Sequence, residues 1–458
     1  MHMLQLSTLS RALATLLAVT APVRAADLAP VQLTLTGPWS VRVVIPGEGA
    51  PPAADLKVSP SEAVTITHER HEAFPLFNPR AGGWVKGAQL RGVRAQETTT
   101  PFLLDPESLV VRTGLGPDAR TLARGVDYEA DLNWGTFGAT TNQGAALAGQ
   151  TVFASYRYAP LRLDSIVLTA NRTLELRQGK PRAAAPAPPE LKAGERRLAN
   201  LWIPGRVERL TPHHLFPVLA EQYPARPIPL THRAAARLPK SVARLTEGGS
   251  LRILAWGDSV TDGSYLPNPA QERWQEQFVT RLRQAFPKAS IELVTVAWGG
   301  RNTASFLAEP PGSPYHYEEK VLGAKPDLVI SEFVNDAGLN PQQVHERYGK
   351  LLADFRRIGA DWIILTPHYV RPDWMGLDRE REIDADPRPY VAGLREFADR
   401  NIVGLADASL RYGHLWREGI PYTTLMLNSI NHPDARGMSL FADALMELFV
   451  ESETRLPR

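Results

Sequence analysis

From residue 251 to about 450, short apolar runs alternate with amphipathic stretches, a pattern that restricts this half of the chain to a parallel sheet covered by helices. Leu251-Arg252-Ile253-Leu254-Ala255-Trp256 is nearly continuous in apolar residues, as a strand buried on both faces must be. Residues 291–297, 327–333, 362–365 and 402–406 repeat the pattern. Between them Trp274, Phe278, Leu282 and Phe286 recur every four residues and mark a helix. Asn340-Pro341 supplies an N-cap and a first helical residue for a helix whose buried stripe is Val344, Tyr348, Leu351, Leu352 and Phe355, with Gly359 placed to end it. Residues 388–400 and 434–450 give two more helices, the last with Met438, Phe441, Leu445 and Phe449 at helical spacing, and Asp407 is placed to cap the helix after the fifth strand. The order predicts an α/β domain over 246–458, with an open, doubly wound, flavodoxin-like sheet. Ligands of such sheets gather beyond the C-terminal strand ends.

Residues 27–178 have a different period. Segments 31–36, 40–45, 63–67, 125–131 and 150–158 alternate polar and apolar residues between clusters of Gly, Pro and Asn, which predicts an all-β sandwich or barrel-like accessory domain in a supporting role. Residues 181–190 are a Pro/Ala run, read as the start of a linker and connecting segment over 179–245. His213-His214 follows Thr211-Pro212 there. Adjacent histidines on an extended chain point to opposite sides and no carboxylate stands at ligand spacing, so no metal site is expected.

Residues 1–26 carry Arg11, an apolar run over 12–19 and small residues up to Ala26, the pattern of a secretory signal cleaved near Ala25 or Ala26. The expected location is secreted or periplasmic. No later segment is apolar for long enough to span a membrane. Lys and Arg number 51 against 49 Asp and Glu, a balance that excludes the broad positive field nonspecific nucleic-acid binding needs. The chain has no Cys, so any chemistry it performs uses oxygen or nitrogen groups.

Four polar blocks fall at the predicted strand ends. Gly257-Asp258-Ser259 follows the first strand, Trp298-Gly299-Gly300-Arg301 the second and Asn335-Asp336 the third, while Asn428-Ser429-Ile430-Asn431-His432-Pro433 precedes the last helix. A hydroxyl in a sharp strand-to-helix loop becomes nucleophilic when a base takes its proton, and His432 is the candidate base for Ser259. In order and position the blocks resemble the SGNH/GDSL hydrolase superfamily over about residues 250–450. The resemblance implies an ester-cleaving serine hydrolase, with an oxyanion hole made by the amides of Ser259 and Gly300 and the side chain of Asn335. Gly300 is expected to be small because a Cβ would stand in the way of the reacting oxygen.

Two features depart from the family pattern. Phe333 stands where the third block usually has Gly, and is expected to narrow the pocket. Three residues before His432, where the family places an Asp, this chain has Ser429. The expectation is a Ser259–His432 dyad oriented by a carbonyl or amide, with Asn428 the candidate orienter, or a carboxylate arriving from elsewhere. Asp434 lies beyond Pro433, and Asp258 is read as a loop-holding residue. Arg301 and Trp298 are candidate substrate contacts.

The functional expectation is a secreted esterase that removes short acyl groups, acetyl foremost, from a carbohydrate or glycan, without a cofactor or metal. The alternatives are a catalytically impaired glycan-binding or scaffold protein, suggested by the missing acid, and an esterase or lipase acting on lipids or thioesters. No dinucleotide or phosphate-loop fingerprint appears, and the strand ends carry no carboxylate pair suited to a retaining glycosidase.

Overall fold

The computed structural model describes residues 31–450 apart from residues 48, 225–227 and 384. The secretory signal expected over 1–26 lies outside the described residues. Among the described residues no helix is long and apolar enough to cross a membrane.

The C-terminal half contains a five-stranded parallel sheet in the spatial order Ser290–Ala297, Ser250–Gly257, Leu328–Glu332, Asp361–Leu365, Gly404–Ala406. Strand order reverses beside Ser250–Gly257, so the crevice of a doubly wound sheet opens at that strand's C-terminal end. Alternate residues of the strand feed two cores. Ile253 and Ala255 pack with Trp274, Phe278 and Leu282 of helix Trp274–Ala285 and with Phe441 and Leu445 of helix Ala435–Phe449. Leu254 and Trp256 face Val344, Leu351 and Phe355 of helix Pro341–Ile358 and Leu394 and Phe397 of helix Pro389–Asn401. Both faces are dry, hence the unbroken apolar run. Truncating a fully buried ring such as Phe278 to Ala would cost about 3–5 kcal/mol.

The helix ends follow their sequence signals with one exception. Asn340 Oδ1 accepts the Gln343 amide at 2.9 Å, the Gln343 side chain accepts the Asn340 amide at 2.9 Å, and Gly359 closes the helix at φ +78°. Asp407, expected to cap the next helix, makes no such bond. Its carboxylate is taken by Arg395 at 2.7 and 3.1 Å and by the Thr366 hydroxyl at 3.0 Å. The fifth strand starts two residues later than expected, because Ile402 adopts φ +56° and ends the preceding helix.

The N-terminal part is built of antiparallel strands. Those expected appear as Gln32–Gly37, Ser40–Val44, Val64–His71, Tyr128–Asp131 and Val152–Tyr158. The linker is shorter than expected. Within 179–245 lies Arg196–Ile203, an interior strand of a four-stranded sheet between Arg162–Leu168 and Leu215–Pro217. Its alternation is masked because a polar residue is buried among apolar ones: Asn200 accepts from Ser165 Oγ at 2.6 Å and donates to the Gly419 carbonyl at 2.7 Å, fixing the sheet to the C-terminal domain. His214 is engaged locally, its Nδ1 accepting the Thr211 amide at 2.8 Å.

Candidate active site

The chain leaves strand Ser250–Gly257 through a turn that only glycine fits. A Cβ on Gly257 would stand 2.1 Å from Thr261 Oγ1 and 2.4 Å from the Glu332 carbonyl oxygen. Asp258 then caps the one-turn helix Ser259–Asp262, its Oδ1 accepting the Val260 amide at 3.0 Å. Its other oxygen accepts the Asn335 amide at 3.0 Å, so this fully buried carboxyl ties the first strand end to the third. Burial pushes its pKa up, against the pull of those two amides.

This turn brings Ser259 Oγ to 3.2 Å from His432 Nε2. His432 sits in a loop gathered around one side chain: Asn428 Oδ1 accepts the amides of Ile430, Asn431 and His432 at 3.0, 2.9 and 2.9 Å. The imidazole lies flat on Tyr265, with centroids 4.1 Å apart and planes 1° from parallel. With one ring nitrogen facing Ser259 and a face covered, Nδ1 is left for an orienting group.

That group is Glu97, from the N-terminal domain. Its Oε1 lies 3.1 Å from His432 Nδ1, within ion-pair reach, and accepts from Asn428 Nδ2 at 2.8 Å. Glu97 occupies the tip of a hairpin in which Arg94 pairs with Thr99 and Ala95 with Thr98, leaving Gln96-Glu97 as the turn. Gln96 takes φ +55°, a conformation costly to a residue with a Cβ, and is held there by its side chain donating to the Tyr265 carbonyl at 2.8 Å. Beyond the turn, the Thr98 hydroxyl donates to the Asn428 carbonyl and Thr100 Oγ1 meets Ser429 Oγ, both at 2.5 Å. Partial burial works to raise the Glu97 pKa, but the imidazole and the Asn428 amide outweigh it and hold the carboxyl at about 2.

Asn428 therefore does not orient the ring as expected. It shapes the loop through its oxygen and steadies Glu97 through its nitrogen, while the carboxylate faces Nδ1. Sequence reading missed Glu97 because a Gln-Glu turn has none of the Gly or Asn that marks a two-residue hairpin. The one available signal was the empty acid position before His432.

Of the blocks expected to supply oxyanion donors, the second passes close to Ser259. A Cβ on Gly299 would be 3.7 Å from that of Ser259. The Asn335 side-chain amide donates to the Arg301 carbonyl at 3.2 Å, which links the second and third blocks and leaves its second N–H for a ligand. At Gly300 a Cβ would meet no protein atom within 4 Å, and φ is +72°, a region that favours glycine whatever the space. Phe333 does not narrow the site. It is buried, edge-on to Trp256 at 4.8 Å, and so belongs to the core. Trp298 stacks on Tyr315 at 4.3 Å, and the Arg301 guanidinium lies 5.0 Å from the Trp298 ring centre.

A hydroxyl 3.2 Å from one nitrogen of an imidazole and a carboxylate 3.1 Å from the other, at the switch point of a doubly wound sheet, can together serve serine acyl transfer. Residues 255–440 match the GDSL-like lipase/acylhydrolase family, and this part of the chain is a domain of that family. Among solved structures, a two-domain esterase active on acetylated mannans, co-crystallised with mannopentaose, aligns with TM-score 0.38 and 18% identity over 50% of this chain and 57% of its own. An acetyl xylan esterase from Geobacillus stearothermophilus aligns with TM-score 0.36 and 18% identity over 45% and 97%. The present chain thus spans little more than half of the two-domain esterase. No curated protein matches.

Proposed function

We propose that the protein is a serine esterase that removes short acyl groups, acetyl foremost, from a carbohydrate. The observation that carries the reading is the Ser259–His432–Glu97 alignment, with 3.2 Å on one side of the imidazole and 3.1 Å on the other. The Ser259 proton passes to His432 Nε2 as Oγ attacks the ester carbonyl. The tetrahedral oxyanion is received by the amides of Ser259 and Gly300 and the Asn335 side chain. His432 then gives its proton to the departing alcohol, and a water that it deprotonates releases the acid from Ser259. Glu97 stays ionised throughout, holds the ring with its proton on Nδ1 and stabilises the imidazolium that forms.

Arg301 and Asn335, joined through the Arg301 carbonyl and the Asn335 side-chain amide, bring charge and hydrogen-bonding groups to the strand ends near Ser259, which suits a hydroxyl-rich alcohol better than a long acyl chain. The signal read in residues 1–26 would deliver the enzyme outside the cytoplasm, where extracellular glycans are met. The alternative of an impaired glycan-binding protein rested on a missing acid, and Glu97 removes that motive.

A fluorophosphonate probe tests the reading. It is expected to label the parent enzyme and leave Ser259→Ala unmarked, and only the parent is expected to release acetate from acetylated sugars. Equal acetate release by the variant would overturn the assignment.

A further inference from the structure

Beside the catalytic groups three indoles meet across the domain boundary. Trp84 and Trp134 come from the N-terminal domain and Trp374 from the C-terminal one, with ring centres 5.0 Å apart for Trp84 and Trp134 and 6.0 Å for Trp84 and Trp374. The Arg371 guanidinium lies 4.7 Å from the Trp134 ring and 5.7 Å from that of Trp374. Each indole is tied to the catalytic loops through the backbone. Gln89 Nε2 donates to both the Trp84 carbonyl at 2.8 Å and the Glu97 carbonyl at 2.9 Å. The Thr99 hydroxyl, two residues past Glu97, donates to the Trp134 carbonyl. The Arg371 amide donates to the carbonyl of Ile430, two residues before His432, at 2.8 Å, and the Trp374 amide to that of Arg371 at 3.1 Å.

We propose that Trp84, Trp134 and Trp374 form a subsite for the sugar rings of the polymer that carries the ester, a proposal that rests on the esterase reading of Ser259. Three arguments support it. A tryptophan serving only to glue the domains would be hidden, yet Trp374 is 52% exposed. Apolar area left in water and rimmed by polar groups is typical of a ligand groove. Flat indoles suit the C–H faces of pyranose rings, while Arg371 and its partner Asp373 stand ready for hydroxyls. The three tilted rings also extend beyond the width of one pyranose, so the fitting ligand is a chain of sugars. The arrangement is built in, since a Cβ on Gly83 would stand 1.9 Å from Trp134 Cδ1. The N-terminal domain thereby contributes to substrate selection as well as support.

The test compares p-nitrophenyl acetate with chemically acetylated cellopentaose, mannopentaose and xylopentaose, using the full chain. In Trp374→Ala and Trp84→Ala, the ratio of kcat/KM on the preferred pentaose to that on p-nitrophenyl acetate is expected to fall at least tenfold, through KM, with Trp374→Phe restoring most of it. An unchanged ratio, whether both activities fall together or neither falls, would overturn the subsite. Binding of the unmodified pentaoses to Ser259→Ala, followed by tryptophan fluorescence, separates the two readings. Binding that vanishes on adding Trp374→Ala supports the subsite even if the parent cleaves no ester, and absence of binding to every pentaose overturns it. A parent inactive on p-nitrophenyl acetate would instead sink the esterase reading alone.

Discussion

Glu97 and His432 meet at 3.1 Å although they belong to different domains, so the acid that faces the imidazole is delivered by a hairpin tip of the N-terminal part. Glu97→Gln keeps the size and loses the charge that stabilises the imidazolium. It is expected to lower kcat by about 10²–10⁴, with little change in KM and an unchanged circular dichroism spectrum. The carboxyl pKa is lowered to about 2, so its contribution is present above the ordinary carboxylate range and lost only as pH falls through about 2. Kinetics across pH 3–9 check both points: no loss of the parent's activity in this range should be set by Glu97, whereas kcat of Glu97→Gln should stay low throughout it.

Tyr265 supports His432 by its ring face and, among the described residues, its buried hydroxyl has no hydrogen-bond partner. Removing an unpartnered buried hydroxyl is nearly neutral or favourable, whereas removing the ring frees the imidazole to tilt. Tyr265→Phe is therefore expected to keep kcat within about twofold and to leave the melting temperature equal or higher. Tyr265→Ala should lose about tenfold or more in kcat and also lose stability, by less than the about 3–5 kcal/mol of a fully buried ring, since Tyr265 is half-buried. Steady-state kinetics and thermal melts on the two variants decide it.

The features legible in the sequence were those set by local chemistry. Asn340, Pro341 and Gly359 bound their helix through bonds that span only a few residues, Ser259 stands at a strand end predicted from an apolar run, and His432 lies just ahead of the predicted last helix. Glu97 depends instead on Gln96 being held at φ +55° by a bond to Tyr265 in the other domain, a constraint with no local trace. Strand Arg196–Ile203 escaped notice for a related reason: Asn200 breaks its apolar pattern and is satisfied by Gly419, far along the chain. Asp407 carries a cap residue's identity, but Arg395 claims its carboxylate, as charge-assisted bonds generally outcompete a neutral amide.

On the oxyanion side, Asn335→Ala removes a donor without touching Ser259 or His432. The expected loss is about 10²–10³ in kcat with KM nearly constant. Gly300→Ala tests the backbone conformation, because no protein atom lies within 4 Å of the added Cβ while φ is +72°. Its expected effect is a destabilisation of about 1 kcal/mol or more, together with a lower kcat as the amide turns away. Denaturant melts read the first and turnover of p-nitrophenyl acetate the second.

Glu380 gives the domain contact its own pH dependence. Burial pushes its carboxyl up from the ordinary value of 4.5 to about 7, against hydrogen bonds from Thr423 and from Trp202 of the N-terminal part. A carboxyl that holds its proton more tightly when folded stabilises fully below its unfolded pKa, and that stability drains away as pH rises through the folded value. Glu380 is therefore expected to contribute a fall in melting temperature between pH 4.5 and 7, with no further contribution above. Glu380→Gln keeps hydrogen-bonding groups without a charge to bury, so it should match the parent near pH 4.5 and melt higher at pH 8. Part of the parent's decline will persist in the variant, because burial also raises the carboxyls of Asp258 and Glu332. Equal melting of variant and parent at pH 8 would show that Glu380 is solvated in the folded protein.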